Sequence, residues 1–168
     1  MSEIKDLTQA EAATTLKKLA EDINICMFCT NIDQQPLSSR PMGLAKADDD
    51  GNLWFMSAKD SAKNQQIEND NRVQIFFAKP QDTEFLSVYG KATITTDRQI
   101  INDVWNPIAN AWFKEGKEDP NVTVIKVDVS EAYYWDTKFG KFVSLVNIAI
   151  AAVTGTHRDT GIEGTLKP

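Results

Sequence analysis

Histidine occurs once in these 168 residues, at His157, and cysteine twice, at Cys26 and Cys29. That scarcity removes whole classes of chemistry. A structural zinc site needs four nitrogen or sulfur ligands, and a Ser-His-Asp or Cys-His hydrolase needs a well-placed imidazole. His157 lies in a weakly patterned C-terminal region, and no nucleophile-elbow motif occurs anywhere. Cys26 and Cys29 have the spacing of redox and metal motifs. They fall, however, in a run that reads as a strand, where residues three apart face opposite sides. They are read as core residues, and no metal is expected.

Long apolar runs are also missing. The longest, Ile148 to Val153, is far short of the roughly 18 residues that suggest a membrane-spanning helix. The opening Met1 to Asp6 has no basic region followed by an apolar one, so no signal peptide is expected. With two cysteines, the reducing cytoplasm is the expected location. Positive charge is in deficit as well, with 18 basic against 24 acidic side chains and a formal charge of −6. Nucleic acid and anionic membrane are therefore not expected partners, because both demand clustered basic residues.

What is present is ordinary for a soluble globular protein: 42% hydrophobic and 25% charged residues. No repeat or linker divides the chain, so 1–168 is read as one domain, with about 156–168 a mobile tail. Thr8-Gln9-Ala10-Glu11 has capping-box spacing, and Ala12, Leu16, Leu19 and Ile23 behind it give a helix with one apolar stripe. Strands are expected over Ile25–Asn31, Leu37–Ala47 and Leu53–Ala58, the last two joined by the Asp48-Asp49-Asp50-Gly51-Asn52 hairpin signal. Asp60 is read as capping a short polar, exposed helix from Ser61 to about Asn69. Val73, Ile75 and Phe77 alternate in a fourth strand, Phe85–Thr95 makes a fifth, and Asn121–Trp135 a sixth. Between the last two, Asp97 caps a helix carrying Ile100 to Trp112, with Pro107 bending or interrupting it.

Short hairpin links and helices at the ends predict a mainly β protein. The expected architecture is a six-stranded antiparallel sheet that either closes into a small barrel or is covered by the flanking helices. The apolar Phe142–Val153 segment is read as a helix buried in a dimer contact.

Chemistry concentrates in two neighbouring stretches, Ser38 to Leu44 and Leu53 to Lys63. Arg40 sits mid-strand, where an inward charge needs a partner. Ser57 ends a strand that runs into a helix start bearing Ser61 and Lys63, and such junctions offer free amides to a phosphate. Arg40 supplies a two-pronged fork, Lys63 a mobile charge, and the serines neutral donors. Spacing alone supports a phosphate site and a set of surface charges with a capping serine equally well.

A resemblance favours the phosphate site. From Ser39 to Phe77 the chain resembles the pyridoxamine 5′-phosphate oxidase-like, FMN-binding split-barrel superfamily. The match rests on Arg-x-x-x-Leu at Arg40, the Gly51 hairpin, and Ser61-x-Lys63-x-Gln65-Gln66-Ile67-Glu68-Asn69 followed by Arg72-Val73. Its second half is similar to the small general-stress-protein branch, through Trp105, Trp112-Phe113, Gly116, Asp119-Pro120 and Ala132-Tyr133-Tyr134-Trp135-Asp136. The resemblance implies a six-stranded antiparallel split β-barrel that forms a homodimer with FMN at the subunit interface. By matched position Arg40 and the backbone of Pro41 and Met42 would line the flavin. Met56 and Ser57 would touch the ring and ribityl-phosphate region, and Lys63, beside Ser61, the phosphate. Trp112 would either join the core or cover the partner's flavin.

Two departures bear on activity. Ala62 stands where the family oxidase has an arginine for the phosphate, and the oxidase's C-terminal arginine–histidine grip on substrate is not recognisable. Vitamin B6 oxidation is therefore not expected. The reading is a flavin-dependent oxidoreductase or reductase acting on a small molecule, with no catalytic residue named. A non-catalytic flavin-binding or flavin-buffering protein is the alternative. A split barrel holding a deazaflavin or haem is a third, and the single histidine argues against haem.

Overall fold

The computed structural model describes residues 3–137 and 161–168. Along the chain these form β1 (Glu3–Ile4), β2 (Leu7–Thr8), α1 (Gln9–Ile23), β3 (Ile25–Thr30), β4 (Ser38–Gly43), β5 (Lys46–Ala47) and β6 (Leu53–Ala58). Next come α2 (Ala62–Asn69), β7 (Arg72–Lys79), β8 (Glu84–Thr95), α3 (Arg98–Val104), β9 (Val122–Thr137) and β10 (Gly161–Lys167). No helix among the described residues is long and apolar enough to cross a membrane.

Six strands pair in the order β4–β3–β7–β8–β9–β6, every neighbour antiparallel. No ladder joins β4 to β6 among the described residues, so the sheet is open rather than closed. β10 extends it antiparallel to β9, and β1 and β2 add to β10 in parallel, which makes the sheet mixed. Long β9 serves two groups of strands: Val122 to Val127 pair with β6, and Ala132 to Thr137 pair with β10. The register slips at Tyr89/Gly90, where β8 follows this change. A Cβ on Gly90 would lie 2.4 Å from the Asp128 carbonyl oxygen, so only glycine fits the bulge.

Two apolar clusters hold these layers. In the larger, Leu16, Leu19 and Ile23 of α1 meet Phe28, Phe55, Ile75, Phe77, Val88 and Ile125 of the sheet. Phe28 and Phe55 pack edge to face with ring centroids 5.2 Å apart. In the smaller, Ile101 and Val104 of α3 and Phe113 cover Val122 and Val124. The start of β9, Val122 to Ile125, is thus buried on both faces, whereas Asp128, Ser130 and Glu131 further along are exposed.

Several expectations are corrected. Thr8 makes no side-chain cap to α1; its backbone is committed to pairing with Lys167 instead. Ser61, not Asp60, caps α2 by accepting from the Asn64 amide. The expected Leu37–Ala47 strand breaks into β4 and β5, because the Leu44 and Ala45 amides turn to Asn24 and Trp54 carbonyls. The expected interruption at Pro107 occurs, but it is complete: α3 ends at Val104 and Pro107 opens a separate 3₁₀ turn, leaving Trp112 outside α3. The expected mobile tail includes β10, whose Leu166 is fully buried in the main core. The Phe142–Val153 segment lies outside the described residues.

Asp97 does cap α3, accepting from the Gln99 and Ile100 amides. The hairpin forms as expected, with Gly51 at φ +84° and Asp48 accepting from the Asp50 and Asn52 amides.

Candidate functional site

α2 is the organising element. Its start follows closely on β6, and its side chains reach back to four strands, β3, β4, β6 and β9. Ser57, at the end of β6, is 2% exposed. Its hydroxyl donates to Asn64 Oδ1 at 2.7 Å and lies 3.3 Å from Ser61 Oγ. The Asn64 amide in turn donates to Thr123 Oγ1 at 3.0 Å, and that hydroxyl donates to the Ser57 carbonyl at 2.9 Å. Every polar atom of this small ring is satisfied internally, which fixes the strand-to-helix junction.

On the neighbouring strands Arg40 shares a face with Phe28, its directly opposed residue in β3. Its guanidinium donates to the Phe28 carbonyl at 3.1 Å, Thr30 Oγ1 at 2.8 Å and Gln66 Oε1 at 2.9 Å. All three acceptors are uncharged. Burial holds Arg40 below its ordinary value, with the nearby Cys29 thiol acting in the opposite direction. Lys63, one turn before Gln66 on α2, is pushed down by burial first and by the Arg40 charge second, and only the field of Asp60 opposes this. Two half-buried cations therefore feel one another without a carboxylate bonded to either among the described residues. Such a pair gains most from an anion.

The expected residues divide into groups. Arg40, Ser57, Ser61 and Lys63 gather around α2. Met42 is half-buried against the main core, and its carbonyl accepts from Cys26 Sγ at 3.4 Å. Pro41 stands on the outer face of the sheet, opposite Met27. Met56 points away from its neighbour Ser57 and packs on the smaller core. Trp112 is 73% exposed, so it is not a core tryptophan; Trp105, half-buried, packs against the smaller core with its ring centroid 6.2 Å from that of Phe113. Cys26 and Cys29 are both buried, free and on opposite faces of β3. Burial pushes the Cys26 thiol up to about 12, so neither spacing nor reactivity makes a redox pair.

No role at the site was expected of Thr30, Asn64 or Thr123, nor of Gln66, which figured only in the motif Ser61 to Asn69. The polar helix was expected to be exposed, yet Asn64 is 2% exposed and Ile67 is buried. Lys63 and Gln66 three residues apart share one helix face, and that was the signal available.

The family profile described as pyridoxamine 5′-phosphate oxidase like matches residues 11–159. The chain belongs to that family. Among solved structures, a protein described as general stress protein 26 from Jannaschia sp. CCS1 is similar at 25% identity, with a TM-score of 0.79 over 95% of this chain and 99% of that one. A general stress FMN/FAD binding protein from Xanthomonas citri is similar at 26% identity and TM-score 0.64, over 74% of this chain and 87% of that one. Protein bli-3 of Neurospora crassa is 31% identical over 128 residues, 71% of this chain. General stress protein 26 of Bacillus subtilis is 27% identical over 81 residues, 45% of this chain. The matches span 61% and 56% of the length of these two curated relatives.

Proposed function

We propose that the protein binds FMN, with the phosphate held by Arg40, Lys63 and the Ser57–Ser61 junction, and acts as a flavin-dependent oxidoreductase on a small molecule. One observation carries the reading. Arg40 and Lys63 are half withdrawn from water beside each other, with neutral acceptors or none where a structural ion pair would place a carboxylate. A phosphate monoester supplies the missing charge. The helix start at Ser61 adds its dipole in the same sense. The FMN/FAD-binding relative from Xanthomonas citri supports the flavin as the carrier of that phosphate.

Bound flavin supplies hydride or single-electron chemistry. The residues of this chain bind and orient it: Arg40 and Lys63 by charge, Ser61 by hydroxyl, and Pro41 and Met42 by backbone, while Ser57, whose hydroxyl is committed to Asn64, fixes the junction. Exposed Trp112 closes over the ring from the partner subunit. We read the six antiparallel strands as the split barrel of the family, the protein as a homodimer, and the two free cysteines as those of a cytoplasmic protein.

A non-catalytic flavin carrier is the second reading. It is favoured by the ring of Ser57, Asn64 and Thr123, whose hydroxyls and amide serve one another rather than a substrate. Titration with FMN tests the shared part: saturable quenching of flavin fluorescence is expected, and its absence overturns both readings. Anaerobic bleaching of bound flavin by NADH or NADPH separates them, since a carrier leaves the flavin oxidised. Oxygen uptake with pyridoxamine or pyridoxine 5′-phosphate is expected to be negligible, because the C-terminal arginine–histidine grip on substrate phosphate is not recognisable in this chain. Turnover near 1 per second, an ordinary enzyme rate, would refute that expectation.

A further inference from the structure

A guanidinium carries five N–H donors in one plane. In Arg40, Nη1 directs its hydrogens to the Phe28 carbonyl and to Thr30 Oγ1, and Nη2 directs one to Gln66 Oε1. The Thr30 hydroxyl donates to that same Gln66 oxygen at 2.5 Å. Thr30 and Gln66 therefore stand side by side against the Nη1/Nη2 end of the plane. Among the described residues nothing accepts from Nε–H or from the second Nη2–H. Those two hydrogens are parallel neighbours, the edge that fits two oxygens of a phosphate or carboxylate.

We propose that Thr30 and Gln66 are positioning residues that lock the end of Arg40 through uncharged acceptors, so that its Nε/Nη2 edge meets the ligand's oxyanion at full charge. The choice of acceptor decides this. A carboxylate in place of Gln66 would hold the arginine as firmly but would neutralise it, whereas an amide holds it and leaves the charge for the ligand. Thr30, fully buried, fixes Gln66 and Arg40 together. Identifying the oxyanion as the FMN phosphate rests on the proposed function; the locking itself does not.

FMN and riboflavin, which differ by the phosphate, serve as paired probes, and inorganic pyrophosphate as a flavin-free one. The wild type is expected to prefer FMN. Gln66→Glu should cut that preference about tenfold or more, the scale of one charge-assisted contact, while riboflavin affinity stays unchanged. Thr30→Val should cut it about threefold to tenfold, and Thr30→Ser, which restores the hydroxyl, should recover it. Equal losses for both flavins, or an unchanged preference in both Gln66→Glu and Thr30→Val, overturn the proposal. Pyrophosphate should delay thermal unfolding of the wild type and not of Gln66→Glu. Failure of the wild type to bind either flavin, with that protection intact, refutes the FMN reading and leaves the locking supported. Equal protection of both proteins overturns the locking.

Discussion

An ammonium group half withdrawn from water next to a guanidinium loses hydration and meets repulsion, and both favour its neutral form. Lys63 is in this position, held below its ordinary value by burial and then by Arg40. The sign of the consequence follows from linkage. A lysine whose folded value is depressed binds its proton less well in the fold than in the unfolded chain. At neutral pH it therefore lowers the stability of the ligand-free protein. An anion reverses this. Lys63→Met should thus raise the thermal midpoint of the ligand-free protein and shrink the further rise that FMN produces. Lys63→Ala should weaken FMN by about 1.5–3 kcal/mol, the range for a hydrogen bond to a charged group. Calorimetric titration checks the affinity, and unchanged binding would remove Lys63 from the site.

Between elements, charge is handled differently. Lys79, at the end of β7, bonds Asp22 from the last turn of α1 and lies 2.9 Å from Asp82 in the following turn. Glu84 at the start of β8 joins them, its Oε2 4.0 Å from the same ammonium. Three carboxylates around one lysine do not all ionise cheaply. Burial, then the hydrogen bond to Asp22, then the charges of Asp22 and Asp136 push Glu84 up to about 7. Asp22 moves the other way, lowered by its bonds to Lys79 and Glu84. A carboxyl with a raised folded value gives stability that is complete below its unfolded value of 4.5 and lost as pH rises through about 7. Glu84→Gln should therefore match the wild type near pH 4.5 and exceed it in thermal midpoint above pH 7. A wild type that stays ahead at alkaline pH would contradict the shared proton.

The same scale shows what the sequence could tell. Alternation of Val73, Ile75 and Phe77, the Asp48–Asn52 turn and the Asp97 cap are local signals, and each element stands where it was expected. Thr8 and the C-terminal strand misled because their roles are long-range. Thr8 pairs with Lys167 across almost the whole chain, and nothing within a short window around either reveals the other. Arg40 and Lys63 were legible as residue types at a strand and a helix start. Their locking by Thr30 and Gln66 was not, since it depends on β3, β4 and α2 meeting in space.

At the scale of the whole molecule, the outer face of the sheet bears on the proposed homodimer. Register places Pro41, Met27, Phe76, Ser87 and Tyr133 in one row across β4, β3, β7, β8 and β9. Ile25 and Trp135 extend the same face, and the Tyr133 and Trp135 rings meet at a 55° tilt with centroids 4.7 Å apart. Ile25, Met27, Phe76 and Trp135 are 62, 42, 44 and 39% exposed, a contiguous apolar display that water disfavours. No charged side chain interrupts the row itself. A two-fold partner presenting the same row would cover it, since an isologous contact matches a patch with itself. Sedimentation equilibrium at micromolar concentration should then give about twice the mass of one chain. Phe76→Glu buries a carboxylate in such a contact, at a cost of several kcal/mol if it stays unpaired, and should shift the protein to a folded monomer. If flavin sits between subunits, the monomer should lose FMN although Arg40, Lys63 and Gln66 are untouched. A wild-type monomer that still holds FMN would place the whole site within one chain and refute the dimer.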